Sequence, residues 1–597
     1  MKTDCSRETA SFSVMNPEFK SASRSFYIQI AFLVGASFVI YSNTLLNNFV
    51  FDDIGQVLEN KWIRDIRYIH EIFISNVWEF QGQATNYYRP IMHVIYMINY
   101  YCYGLNPIGF HFTNVFFHAA VSVLVFLIAA KLFGKYPIEN PGAFLNPSFI
   151  IGMLFVTHPI HTEPVAWVAG IPDISFTFFY ILSFYLYICS NNEKIFHFRF
   201  VLSLVTFFLA LLSKETAITL PVMIVAYDYL YKEYDISCLY RYRIKHYAFY
   251  MIVMLAYFSL RFYALGGITP VKVQVNANQV LGIFDIFPLF IKYLEKLILP
   301  INLNILHVYH PVKSFFEFKF LYSVAITLLV VVLIFVWTNR NKIVLLFTFF
   351  ICVPLVPALY FPALNIRYYN SFAERYLYLP SVGFVMLVYY MVRLIYDNRK
   401  YHPFIMNSIF IVLIMSYSVV SINRNAIWRE ELTLWNDSIK KSPESSLAQY
   451  NYGNALKSLG KIDEAMEHIQ IAIKLQPEIG HYRNSLAELY INKGHINQAI
   501  QQYLVAIDLQ PEDAQAYNNL ATVYAEYGAL NKAIIYFEKA VFHQPYNADY
   551  HYNLGVTYSD IGLVDKAIEH LEFAVKLNPG DPVYRETLDR TNRIVTR

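Results

Sequence analysis

A period of 34 residues governs the last quarter of the chain. Pro443, Pro477, Pro511, Pro545 and Pro579 are spaced 34 apart, as are Gly460, Gly494, Gly528 and Gly562. Two sets of alanines keep the same step: Ala465, Ala499, Ala533 and Ala567, and Ala472, Ala506, Ala540 and Ala574. A helix-turn-helix unit of this length needs glycine at its turn, small residues where its helices touch, and proline beyond its second helix. One such unit cannot bury its apolar face alone. Four therefore stack into an α-solenoid over 446–581, with 582–597 as a capping helix.

The spacing is that of a tetratricopeptide array, a binding surface with no catalytic constellation of its own. Asn451, Asn519 and Asn553 recur at one position of the first helix, with Ser485 taking their place in the second repeat. Two readings are open for them: they hydrogen-bond the backbone of an extended peptide on the concave face, or they only solvate that face.

Upstream of residue 424 the pattern changes to long apolar runs joined by short loops. The whole chain is 56% hydrophobic and 15% charged, against about 25% charged in soluble domains. This is the composition of an all-α polytopic membrane protein, with a membrane domain at 26–423 and a connecting helix at 424–445 that carries Trp428 and Trp435. A net charge of +3 with no long basic cluster sets nucleic acid aside as a partner. The five cysteines are scattered and none follows Cys352, so neither a disulfide framework nor a CxxC metal site is present.

A spanning helix needs about 20 mostly apolar residues, and Lys and Arg gather on the cytoplasmic side. The basic tail 1–25 is expected in the cytoplasm. Eleven spans follow, near 26–46, 109–133, 147–160, 172–190, 198–213, 216–231, 246–264, 319–338, 343–361, 376–396 and 404–422. The inner loops then hold Lys131 and Lys135, Lys194 and Arg199, Lys232 with Arg241, Arg243 and Lys245, Arg340 with Lys342, and Arg399 with Lys400. The stretches 89–104 and 281–300 are short and charged, which suits helices lying in the interface. The long loop 47–108 and the repeats fall on the outer side.

That side also collects Asp52, Asp53, Arg89, His158, His161, Glu163, Asp173, Lys214, Glu215, Glu374 and Arg375, nearly all beside a span end. Ionisable groups at membrane depth are costly unless they pair or line a wet cavity, so their shared sidedness is the signal. For Asp52 and Asp53 the alternatives are a solvated capping pair or a general base beside a neighbour that tunes it. "HPIHTE" offers nitrogen and oxygen ligands, a hydrogen-bonded acceptor or phosphate site, or plain structure. Lys214 has Glu215 beside it, and Arg375 has Glu374, as ready internal partners. Otherwise the guanidinium of Arg375 is free to hold a phosphate in bidentate fashion.

In order along the chain, "FDD", "YRPIMHVIYMINYYCYGLNPIGFHFTNVFFH", "HPIHTEPVAWVAGIPD", "SKETAITLPVMIVAYDYL" and "AERYLYLPSVGF", followed by the repeats, resemble the transmembrane-and-tetratricopeptide-repeat O-mannosyltransferases and their prokaryotic relatives. The resemblance implies a GT-C glycosyltransferase fold. It implies inverting transfer of a sugar from polyprenyl or dolichyl phosphate to Ser or Thr hydroxyls of an extracytoplasmic protein held by the repeats. A hydroxyl needs a base, and a phosphate leaving group needs positive charge. Asp52 or Asp53 is then the base, Arg375, Lys214 and Arg89 hold the donor phosphate, and His158, His161, Glu163, Asp173 and Glu374 orient acceptor or donor. No metal ligand set is assigned, and a divalent cation, Mg or Mn, stays open as a cofactor. The aromatic-, Ile- and Asn-rich composition points to a bacterial inner membrane with the repeats in the periplasm, the eukaryotic equivalent being the endoplasmic reticulum with the repeats in its lumen. The rival classes are a membrane-anchored scaffold for protein assembly and a lipid-linked sugar transporter.

Overall fold

The computed structural model describes residues 18–133, 145–190, 197–235, 237, 239, 243–267, 283–338, 341–359, 372–399 and 403–595. Residues 1–17 of the expected cytoplasmic tail and the inner-loop residues Lys135, Lys194, Arg241, Arg340 and Lys400 lie outside the described residues. So do the side chains of Lys20 and Arg399. Every regular element among the described residues is helical. The chain divides into two compact units, the first ending at Leu434 and the second beginning at Trp435.

Among the described residues of the first unit, six helices are long and apolar enough to cross a membrane by length and composition. They are Pro107–Phe133, Val168–Cys189, Ile244–Leu265, Phe318–Val336, Lys342–Leu359 and Ile405–Arg429. Four more of the expected spans overlap shorter apolar helices, Arg24–Ile40, Pro147–Thr157, Phe198–Ser213 and Pro380–Tyr396, of which Pro147–Thr157, with 11 residues, is too short to cross by itself. The stretch 216–231 holds the 11-residue helix Leu220–Leu230, about 16 Å long against a hydrocarbon layer of about 30 Å. The helices Pro90–Tyr103 and Ile286–Ile298 have 14 and 13 residues, also too short to cross.

Burial follows the logic of lipid rather than water. Leu328, Leu329, Val331, Val332 and Phe335 are each more than half exposed. In water such a face would be an aggregation patch, whereas lipid tails solvate it as well as another helix would. Close helix contacts rely on small and polar groups instead. The Ser183 hydroxyl donates to the Ser203 carbonyl at 2.6 Å and the Ser203 hydroxyl returns a bond to the Ser183 carbonyl at 2.8 Å, pinning helix Ile171–Cys189 to Phe198–Ser213.

Loop 47–89 is built from short helical turns that close over a small core of their own. Val57, Ile63, Ile72 and Val77 pack with Met92, Tyr96 and Phe110, and with Val168 and Ile171 at the start of Val168–Cys189. The loop is thereby fixed against the ends of these helices, and this places Asp52.

The second unit pairs helices Ser446–Ser458 with Ile462–Leu475, Gly480–Asn492 with Ile496–Leu509, Ala514–Glu526 with Leu530–His543, and Ala548–Asp560 with Val564–Leu577, then ends in Pro582–Val595. The turn glycines Gly460, Gly494, Gly528 and Gly562 have φ of 75°, 76°, 74° and 82°, a conformation that costs any other L-residue about 1–2 kcal/mol. Both sets of periodic alanines are fully buried where helices touch.

Candidate active site

A cleft lies at one end of the helices of the first unit. Asp52, Arg89, Asp173, Lys214 and Arg375 all line it, together with Gln56, Trp78, Tyr87, Trp167 and Tyr376. Five charged groups drawn from five separate stretches of chain thus meet at one place.

Each cation is paired with a carboxylate. Lys214 Nζ lies 2.5 Å from Asp173 Oδ1, both side chains 4% exposed. Arg89 donates through Nη2 and Nε to the two oxygens of Glu215 at 2.7 and 3.2 Å. Arg375 donates through Nη1 to Glu163 Oε1 at 2.6 Å and through its backbone N–H to Oε2 at 2.9 Å. Aromatic faces complete the mounting. Lys214 Nζ lies 4.5 Å from the centre of the Tyr376 ring, Arg89 lies 4.6 Å over Tyr87, and Arg375 lies 5.4 Å from Trp167. Such packing orients a cation while keeping it charged. Burial alone would raise the Glu215 carboxyl, but Arg89 and Lys214 bring it down to about 2.

The two aspartates do different work. Asp52 lines the cleft and is partly exposed. Burial pushes its carboxyl up to about 6, with Arg375 opposing the rise and Glu431 adding to it. Asp53 is fully buried. Its Oδ2 accepts the Val50 N–H at 3.1 Å and its Oδ1 accepts the Ala169 N–H at 2.7 Å. It therefore fastens the loop to the turn at 168–170 and does not face the cleft. Gly170 makes that turn possible, because a Cβ there would overlap the carbonyl group of Pro164. Gly170→Ala should cost about 1–3 kcal/mol through overpacking, read as a lowered melting temperature of the purified protein.

Several expected roles need correction. His158 uses Nε2 on the Leu297 carbonyl at 3.1 Å and Nδ1 on the Ile160 N–H at 3.2 Å. His161 bonds the Ser381 hydroxyl at 2.8 Å and packs on Phe155 and Tyr378. Both rings are fully buried in helix packing and neither lines the cleft, so neither orients a substrate there. Glu374 points the other way too: its Oε1 accepts the Asn304 N–H and pairs with His307 Nε2, both at 2.6 Å. The partner of Arg375 is Glu163 rather than Glu374, and that of Lys214 is Asp173 rather than Glu215. His158, His161 and Glu163 do not converge, and no three His, Cys, Asp or Glu side chains group as metal ligands among the described residues.

Gln56, Trp78, Tyr87, Trp167 and Tyr376 line the cleft without belonging to the charged set that the sequence singles out. Trp167 and Tyr376 belong to the same motifs as Glu163 and Arg375, and their proximity in the chain was the available signal. In the repeats, Asn519 Nδ2 donates to Glu488 Oε1 at 3.2 Å and to Asn484 Oδ1 at 3.4 Å. Asn553 Nδ2 donates to Asn518 Oδ1 at 3.0 Å. These asparagines form a ladder between neighbouring repeats and remain partly accessible. Asn451 is partly accessible as well.

Apolar multi-helix unit, charged cleft and repeat array define a membrane protein with a tetratricopeptide module. Tetratricopeptide family models match residues 447–479 and 548–581, and a TPR repeat model matches 487–528. The chain is 26% identical over 496 residues to the human protein O-mannosyl-transferase TMTC3, covering 76% of this chain and 52% of that protein. It is 26% identical over 458 residues to the Caenorhabditis elegans protein O-mannosyl-transferase F38B6.6, covering 74% and 62%. To human TMTC1, another protein O-mannosyl-transferase, it is 26% identical over 531 residues, covering 77% and 56%. The resemblance carried by the motifs holds across three quarters of the chain, which spans a little over half the length of these relatives.

Proposed function

We propose that this protein transfers a sugar from a polyprenyl-phosphate carrier to Ser or Thr hydroxyls on the extracytoplasmic side of its membrane, as a mannosyltransferase of the GT-C kind. The observation that carries the proposal is the single cleft in which a partly exposed carboxylate, Asp52, faces Arg375, with Lys214 and Arg89 beside them. The names of the relatives supply mannose as the first sugar to test.

In the proposed reaction Asp52 takes the proton of the acceptor hydroxyl as its oxygen attacks the anomeric carbon. The bond from that carbon to the phosphate oxygen breaks, and the configuration inverts. The donor phosphate carries one negative charge as a diester and gains a second on leaving, so cations matter more after the bond breaks than before. Arg89 and Arg375 keep guanidinium nitrogens beyond those that bind Glu215 and Glu163, and those serve the phosphate. Glu163 and Asp173 orient the cations through their ion pairs with Arg375 and Lys214. The repeats bind the acceptor protein or a partner that delivers it, and their Asn ladder offers polar groups to a peptide backbone. The proposed reaction needs no metal, and Mg or Mn dependence is settled by assay in chelator.

A base with its carboxyl near 6 gives a rate that is flat at neutral pH and falls by about tenfold per unit well below 6. A pH profile of kcat/KM, which reports the free protein's groups, checks this. The function itself is tested by mass spectrometry of exported proteins with and without the gene. Loss of a single hexose mass from Ser or Thr residues is the expected result. An unchanged glycan profile would favour the scaffold.

A further inference from the structure

Glu431 begins the helix Glu431–Lys441, and the proposed reaction gives it no part. It nevertheless touches the acid loop: its Oε1 accepts the backbone N–H of Phe51, the residue before Asp52. Phe51 sits at φ 55°, a left-handed conformation that is rare for a bulky residue and persists only where its surroundings enforce it. The enforcement is visible. The Phe51 ring stacks on Trp167 at 5.9 Å between centroids, and Trp167 stacks on Trp428 at 5.9 Å. Alongside, the Asn48 N–H donates to the Arg429 carbonyl at 2.9 Å and Asn47 Nδ2 donates to the Asn425 carbonyl at 3.4 Å. Segment 47–51 is therefore strapped to 425–431, and Asp52 is the next residue along.

We propose that Glu431 is a positioning residue for Asp52, its carboxylate fixing the left-handed turn at Phe51 that aims Asp52 into the cleft. The proposal rests on the reading of Asp52 as the base. Charge adds a second effect. Asp52 is faced by Arg375 from the 374–377 turn and by Glu431 from the helix start, with Arg89, Asp173 and Lys214 lining the same cleft and Asp53 next in the chain. Arg375 favours the ionised form and Glu431 disfavours it, so Glu431 holds the base nearer neutrality than Arg375 alone would leave it.

The two effects separate in two variants of the full-length protein in detergent. Glu431→Gln keeps a side-chain oxygen for the Phe51 N–H and removes the charge, whereas Glu431→Ala removes both. The Asp52 titration is followed by carboxyl-¹³C NMR of aspartate-labelled protein, its signal assigned by loss in Asp52→Asn, and the loop by hydrogen exchange at 51–53. For Glu431→Gln the midpoint should move to lower pH with exchange as in the parent. For Glu431→Ala the midpoint should move likewise, with exchange about tenfold faster from loss of one hydrogen bond. In a transfer assay Glu431→Gln should shift the acid limb of the rate profile down by the same amount as its midpoint. An unmoved midpoint in folded Glu431→Gln, or parental exchange in Glu431→Ala, would overturn the proposal. Melting curves show which variants are folded, and Glu431→Gln decides if Glu431→Ala is not. Neither spectroscopic readout needs turnover, so a parent protein that transfers no sugar counts against the proposed function alone.

Discussion

Asp52→Asn should lower sugar transfer by about 10²- to 10⁴-fold, the range a positioned general base contributes, while leaving expression and melting temperature close to those of the parent. Asp52 is partly exposed and lines a cleft, and an amide of the same shape sits there at little cost. Asp53→Asn should do the reverse. Its two oxygens each accept a backbone N–H, from Val50 and Ala169, and the amide presents an NH₂ to one of those donors. Leaving a buried donor unsatisfied costs about 1–3 kcal/mol. Activity per folded molecule should fall less than in Asp52→Asn, since the loop is loosened and the base is still present. Occupancy of acceptor glycopeptides by mass spectrometry, normalised to folded protein, separates the two. Equal loss in both variants would reject the division of labour.

The second large effect concerns the ion pair of Lys214 and Asp173. Both side chains are 4% exposed, so Lys214→Met strands a buried carboxylate, a change that costs about 3–5 kcal/mol. Adding Asp173→Asn removes the stranded charge, and the double variant should recover most of that loss in thermal melting. Transfer should not recover. The cleft has lost one of its three cations, and a charge-assisted hydrogen bond to phosphate is worth about 1.5–3 kcal/mol, or roughly 10- to 100-fold in kcat/KM for the donor. Recovery of both stability and transfer would show that Lys214 serves only to neutralise Asp173.

The repeats were legible because their requirements are local. A left-handed turn every 34 residues demands glycine and tight helix contacts demand alanine, so Gly494 and Ala499 announce themselves without any knowledge of the fold. Membership of the cleft was partly legible for a different reason: charged groups at span ends must line something wet, and Asp52, Arg89, Asp173, Lys214 and Arg375 do so. Pairing was not legible. Lys214 finds Asp173 41 positions away, Arg89 finds Glu215 at 126 and Arg375 finds Glu163 at 212, while the sequence offers Glu215 and Glu374 next door. Adjacent residues on a helical turn point to different sides, and that geometry overrode proximity. His158 and His161 misled for a related reason, since a polar motif looks alike whether its rings face a cavity or the helix packing. The role of Glu431 depends on a contact across 380 positions with Phe51, which no local pattern records.

The most direct test of the account uses purified full-length protein in liposomes, supplied with a polyprenyl-phosphate mannose labelled in the sugar and a Ser- and Thr-rich acceptor peptide. Label should move to peptide hydroxyls with the parent protein and stay on the lipid with Asp52→Asn. Label reaching the peptide equally with both proteins, or with neither, would contradict it.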